Sequence, residues 1–317
     1  EVFEQIGLPQ KKMMMLQKLG KEQDNAHIAG QILNSFEQVI KKNKTEQECI
    51  VPENNFKGSR PRLAFISPFP PEKTGIADYS AELIPELARY YDIELITDQP
   101  TVSDAWITAN FPVRTVGWFE EVSKYFDRVL YHVGNSPFHC HMYSLLKRYP
   151  GVVVLHDFFL SHMCACFEHI HSVAENYAQI LYHSHGYSAL QTLAKKGYEE
   201  AIWQYPANLC IIENAVGTIT HSRMAKQLAK QWYGVEASCD WSIVPHLRDL
   251  NKRKSRKEAR HRLKLDEHDF VVCSFGILGP AKLNDLLLTA WLSSSLGRDK
   301  RNSRLIFVGQ NETGEYG

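Results

Sequence analysis

RLAFISPFPPEKTGIADYSAELIPELARYYDIELIT, residues 62–97, decides the fold class. It opens on the β-rich run RLAFIS (62–67), passes through the amphipathic stretch DYSAELIPELARYY, and closes on a second β-rich run, IELIT (93–97). Strand, helix, strand is the pattern of a βαβ unit, whose crossover makes its two strands parallel. The same texture continues outward. RVLYHV (128–133), VVVLH (152–156) and GTITHS (217–222) are further short β-rich runs, and the helical stretch MAKQLAKQWYG follows the last of them. Continuous apolar runs such as VVVL suit strands buried on both faces. These segments predict an α/β domain of the doubly wound kind, a parallel sheet between two helical layers.

The flanks read differently. Residues 1–58 hold no convincing strand, but Ile28, Ile32, Leu33, Phe36, Val39 and Ile40 recur at helical spacing. KKNKTEQE and PENNFKGSRP then form a connector. This segment reads as a helical lead-in; a membrane-surface helix is the other reading, against which its polar face mixes both charge signs. A break follows near Pro245. The basic run KRKSRKEARHR reads either as an electrostatic foot on an anionic surface or as a solvated linker and outer helix face. Beyond it FVVCSFG (270–276), the helical stretch NDLLLTAWLSSSL and RLIFVG (304–309) begin a second βαβ unit. The expected domains are therefore 1–58, a lead-in and linker; 59–245, a first Rossmann-like domain; and 246–317, the start of a second. The last is roughly half an ordinary domain in length, and the chain begins without Met, so the expectation is a fragment of a longer protein.

Composition excludes several classes. Of 317 residues, 36 are Lys or Arg and 36 are Asp or Glu, a formal charge of zero. A nucleic-acid binder that works by displacing counterions needs a basic surplus, so none is expected as a partner. With 44% hydrophobic and 23% charged residues, the chain is neither disordered nor fibrous. No apolar run approaches the roughly 20 residues of a spanning helix, and the first residues lack the pattern of a signal peptide. Seven cysteines without CxxC pairs fit free thiols in a reducing compartment better than a disulfide framework. The expectation is a soluble, cytoplasmic, globular protein.

Open parallel sheets bind ligands outside the carboxyl ends of their strands, so the loops there carry the candidate site. In SPFPPEKTGIADYS, Gly75 precedes a helix expected to start near Ala77 or Asp78. A helix N-terminus with free N–H groups suits an anionic phosphate. The bland reading is a turn glycine, since the loop matches neither GxGxxG nor the phosphate loop. Gly134 and Asn135 end the next strand beside His132, His139 and His141. His156 and Asp157 end VVVLH, where polar groups on an apolar strand need a partner, either a ligand or the fold itself. HMCACFEHIH holds His162, Cys164, Cys166, His169 and His171; on a helix only His162, Cys166 and His169 share a face, in no known metal spacing, and no metal is expected there. In SFGILGPAKLND, Lys282 follows a strand and a Gly–Pro turn near a helix start, where a cation suits phosphate.

SPFPPEKTGIADYSAELIPELA, YHVGNSPFH, VVVLHDFFL, GTITHS and SFGILGPAKLNDLLLTAW, in this order, resemble the GT-B glycosyltransferases of family GT4, most nearly the bacterial mannosyltransferases that build surface polysaccharides. The resemblance runs from about residue 61 to the end. It implies two Rossmann-like domains, the second truncated here. It implies retaining transfer of a hexose, mannose from GDP-mannose favoured, to a glycan or lipid-linked glycan, with no cofactor and no essential metal. It carries the glycine loop beside the donor diphosphate and acceptor onto Thr74-Gly75-Ile76, and the histidine that contacts the transferred sugar onto His156. Gly75, Gly276 and Lys282 become donor contacts, and Asp78, Tyr79 and Asn135 candidate acceptor contacts. The family's R-x5-K pair falls on Ile277 and Lys282, so the arginine is replaced. Its E-x7-E motif is not in this chain, since Glu312 and Glu315 stand too close together. The implied place is the cytoplasm, with peripheral association at the inner face of the membrane. A non-catalytic GT-B-like scaffold module of a larger polysaccharide-assembly protein is the alternative. An epimerase of the same shape would need acid and base carboxylates that the sequence does not place.

Overall fold

The computed structural model describes residues 60–169, 175–247, 255–279, 282–298 and 302–311. The expected lead-in at 1–58 lies outside them, as do His171, Glu312 and Glu315. The chain divides into two compact units, Glu1–Asp249 and Leu250–Gly317. No described helix is long and apolar enough to cross a membrane.

The first unit is built on seven strands: β1 (Arg62–Ile66), β2 (Asp92–Thr97), β3 (Val113–Thr115), β4 (Arg128–Val133), β5 (Val152–Leu155), β6 (Gly217–Thr220) and β7 (Ser242–Ile243). They form one sheet in the order β3-β2-β1-β4-β5-β6-β7, and each pairing is parallel. The chain runs outward from β1 to β3 and returns to β4 on the other side. The order therefore reverses between β1 and β4, the place where such sheets take ligands. The five β-rich runs read from the sequence are β1, β2, β4, β5 and β6. The short edge strands β3 and β7 carry too few residues for a period to show.

Alternation along the strands sorts side chains onto two faces, and each face has its own core. Leu63 and Phe65 of β1, Leu130 of β4, Val152 and Val154 of β5 and Ile219 of β6 belong to one core. Ala64, Ile66, Tyr131, Val133, Val153 and Leu155 belong to the other. The first face is covered by α1 (Gly75–Leu87), whose Ile76, Tyr79, Leu83, Ile84 and Leu87 are buried at helical spacing. Thr74 caps this helix, its hydroxyl accepting from the Ile76 N–H at 3.3 Å. That cap places the helix start at Gly75, two or three residues before the expected start, because a Thr that satisfies a first-turn donor fixes where the helix begins.

The second face is covered by α2 (Cys140–Arg148), α3 (Tyr177–His185) and α4 (Tyr187–Gln204), among others. Gly197, at φ 87°, interrupts α4, a backbone angle that glycine alone adopts without strain. The HMCACFEHIH segment is not one helix: Ser161–Ala165 is α-helical and Cys166–His169 continues as a 3₁₀ turn. His162 is exposed and Cys164 buried, so those two do not share an open face.

The second unit pairs β8 (Phe270–Phe275) with β9 (Ser303–Val308) in parallel, with a helix, α5 (Asn284–Ser293), in the connection. Large apolar side chains here stay exposed, Phe275 at 72% and Leu292 at 62% among them.

Leu83, fully buried in α1 against the first face, tests this packing. Leu83→Ala is expected to lower the unfolding free energy by about 2–5 kcal/mol, read as a shift of the denaturation midpoint. An unchanged midpoint would contradict the docking of α1 on this face.

Candidate functional site

The carboxyl ends of four adjacent strands carry a histidine each. His132 is the fifth residue of β4, His156 follows the last residue of β5, His221 follows the last residue of β6, and His246 lies three residues beyond β7. Register explains why they meet. Val133 pairs with Leu155 and Leu155 with Thr220, so His156 and His221 stand level on neighbouring strands. Counting in twos, His132 continues Leu130, His156 continues Val154, and His221 continues Ile219. All three therefore sit on the face that α1 covers. Tyr79 of α1 packs its ring on the group, with centroids 5.0 Å from His156, 5.2 Å from His221, 4.7 Å from His246 and 5.8 Å from His132.

The hydrogen bonds fix the tautomers. His221 Nδ1 lies 2.9 Å from the Val244 carbonyl, which can only accept, so Nδ1 carries the proton and Nε2 a lone pair. His221 Nε2 faces His156 Nδ1 at 3.3 Å, so in neutral rings His156 Nδ1 donates. His156 Nε2 then accepts from His132 Nδ1 at 3.0 Å. The result is a chain of three imidazoles, each protonated on Nδ1. Burial, then the mutual repulsion of the imidazoles, holds His132 and His156 well below the ordinary histidine pKa. Burial likewise lowers His221 to about 4 although the Val244 bond acts the other way. At neutral pH these three imidazoles are uncharged. The His132 Nε2 atom and the Tyr79 hydroxyl are buried with no hydrogen-bond partner among the described residues.

Beside this cluster, the loop after β4 is clamped. Asp157 accepts from the Asn135 N–H at 2.9 Å, and the Asn135 side-chain oxygen accepts from the Met163 N–H at 3.0 Å. Gly134 lets this loop lie close to α1: a Cβ there would displace the Ile76 Cδ1 methyl, 2.3 Å away, and stand 3.2 Å from Asp157 Oδ2. Asn135 thus spends its carboxamide oxygen on the fold.

Of the residues expected at the site, the first unit brings Tyr79 and His156 into contact. Both nitrogens of His156 face other imidazoles, and Tyr79 is only 2% exposed. Gly75 opens α1, and a Cβ there would meet nothing within 4 Å. Asp78, in the first turn of α1, is exposed. In the second unit Gly276, at φ +127°, lies under the Lys282 side chain, whose Cε would be 3.4 Å from a Cβ at Gly276. Ile277 is 43% exposed. His221 and His246 were not singled out by the sequence. In GTITHS, His221 directly follows the strand GTIT as His156 follows VVVL, a signal that could have found it. His246 carries none, because the two-residue β7 shows no alternation.

A cavity of about 220 Å³ opens at the carboxyl ends beside the point where the strand order reverses, lined by Pro68, Thr97, Asp98 and Phe138 among others. A larger one, about 700 Å³, lies at the amino ends of β1 and β2 around Arg62 and Asp92, the end of the sheet where open α/β folds do not bind.

No protein-family profile and no curated protein matches the sequence. Among solved structures, LpCGTa in complex with UDP is similar at a TM-score of 0.37 and 13% identity, over 78% of this chain and 70% of that one. A likeness at this level carries no functional weight.

Buried neutral histidines make stability depend on pH. Burial pushes His139 and His185 down to about 4 in the folded chain, against about 6.5 unfolded. Between those values the unfolded chain binds more protons. Stability is then fully present above about pH 6.5 and falls as pH drops towards 4, by up to about 1.4 kcal/mol per unit per histidine. Urea unfolding across this window should show that fall, with a shallower slope in His185→Gln; a flat profile would contradict the burial.

Proposed function

We propose that the chain is a glycosyltransferase of the GT-B kind, moving a hexose from a nucleotide-sugar to a glycan or lipid-linked glycan with retention of configuration. Mannose from GDP-mannose is the favoured donor. The observation that carries this reading is the convergence, beside the switch point of a parallel sheet, of an open helix N-terminus at Gly75 with polar strand ends at Asn135, His156 and His221. The ordered motifs from SPFPPEKTGIADYS to SFGILGPAKLND support it.

The chemistry asks little of side chains. The bond from the anomeric carbon to the donor diphosphate breaks as the acceptor hydroxyl attacks from the same face, and the leaving phosphate takes the hydroxyl proton. The protein positions the two substrates and stabilises charge on the phosphate. The N–H groups opening α1 suit a phosphate; the second unit, taken by itself, offers an anion the Lys282 ammonium, held over Gly276. No metal ion is needed on the diphosphate. His156 orients the sugar as a neutral imidazole, giving up its His221 contact to do so. Asp78 and Asn135 serve the acceptor, with Tyr79 shaping the wall behind them.

A second reading is a GT-B-like scaffold module without catalysis. Ile277 favours it: an exposed isoleucine stands where the family resemblance calls for an arginine.

Calorimetric titration of the chain with GDP-mannose, GDP, UDP-glucose and UDP, beside Lys282→Ala, separates the two. The transferase reading expects one base family to bind and to weaken about tenfold in the variant, about 1.4 kcal/mol. No binding to any of the four would leave the scaffold.

A further inference from the structure

His156, His221 and His246 offer one ring nitrogen each, and these three atoms lie within 4.8 Å of one another. His156 Nδ1 and His221 Nε2 are 3.3 Å apart, about the edge of a tetrahedron built on Zn–N bonds of about 2.0–2.1 Å. The rings are turned rather than stacked, with interplanar angles of 50° for His156 and His221, 58° for His221 and His246, and 70° for His156 and His246. Their in-plane nitrogens can therefore aim at a common point.

The outward nitrogens are held in the manner of metal-bound imidazoles. His221 Nδ1 hydrogen-bonds the Val244 carbonyl at 2.9 Å and His246 Nδ1 the Leu247 carbonyl at 3.0 Å. His156 Nε2 faces His132 Nδ1 at 3.0 Å. Such outer partners fix tautomer and ring orientation around an ion.

We propose that His156 Nδ1, His221 Nε2 and a ring nitrogen of His246 form a binding site for a transition-metal ion of the zinc class. Three imidazoles without a carboxylate select Zn²⁺, Co²⁺, Ni²⁺ or Cu²⁺ over Mg²⁺ and Ca²⁺, which demand oxygen ligands. Three protein ligands leave a coordination position for water or a substrate oxygen. The ion enters beside His246, which is exposed, and the Tyr79 ring packs on all three ligand rings. It replaces the proton that His156 shares with His221. His156 then carries its proton on Nε2 and donates it to His132 Nδ1, whose own proton moves to His132 Nε2, so binding needs two tautomer changes but no net loss of a proton from the cluster. The site does not depend on the transferase reading; with the ion on Nδ1 and His132 on Nε2, His156 is free for a sugar only in the metal-free chain.

The test uses the chain stripped with a chelator and titrated with Co²⁺, followed by its visible absorption, and with Zn²⁺, followed by calorimetry, near neutral pH. His246→Ala is the principal variant, because an exposed side chain can be removed without unfolding, checked by circular dichroism. His221→Ala is the second, and His162→Ala, on an exposed histidine elsewhere, the control. The wild type and His162→Ala are expected to take up one equivalent that His246→Ala and His221→Ala lose or bind at least about tenfold more weakly. No saturable uptake by the wild type, or uptake by His246→Ala equal to it in amount and affinity, would overturn the site.

Discussion

Parallel register is the constraint on which the site depends. β4, β5 and β6 end level, and the ladder runs one residue past them on both sides: the His156 N–H donates to the Val133 carbonyl and the Val244 N–H to the Thr220 carbonyl, each at 2.9 Å. A slip of one residue in any of these pairings would turn a strand's side chains to the opposite face. It would exchange Val154 and His156 for Val153 and Leu155. Both faces are buried under helices, so such a slip would misplace two cores at once. Packing of Leu130, Val154 and Ile219 on one side and Tyr131, Val153 and Leu155 on the other thus places the histidines.

Bringing imidazoles together under a helix has a cost, and the structure meets it by keeping them neutral and letting them hydrogen-bond in series. The Val244 carbonyl ends the series, because it accepts and cannot donate. The other end is left open: His132 Nε2 is buried without a partner among the described residues, a loss of about 1–3 kcal/mol. The Tyr79 hydroxyl is in the same position. Local rules are broken in this way most often at functional sites, where stability is given up for chemistry.

Much of the fold was legible in the sequence because buried parallel strands and amphipathic helices write strong patterns. RLAFIS, IELIT, RVLYHV, VVVLH and GTITHS each fall on a strand of the sheet. β3 and β7, three and two residues long, leave no period to read. The site was half legible. His132 and His156 stand at recognisable strand ends, but grouping them with His221 and His246 requires the strand order, which no single run of residues states. HMCACFEHIH drew attention because its histidines and cysteines are close in sequence. The structure instead gathers histidines spread from 132 to 246, whose closeness is created by the sheet.

His132, His156 and His221 form one neutral, ordered set at the strand ends. The most direct measurement is long-range proton–nitrogen NMR of the imidazoles in chelator-treated chain at neutral pH. The hydrogen bonds require His132, His156 and His221 to be uncharged and protonated on Nδ1, the tautomer that a free histidine disfavours. A His221 found as the Nε2-protonated form, or as imidazolium, would break the chain at the Val244 carbonyl and contradict the account.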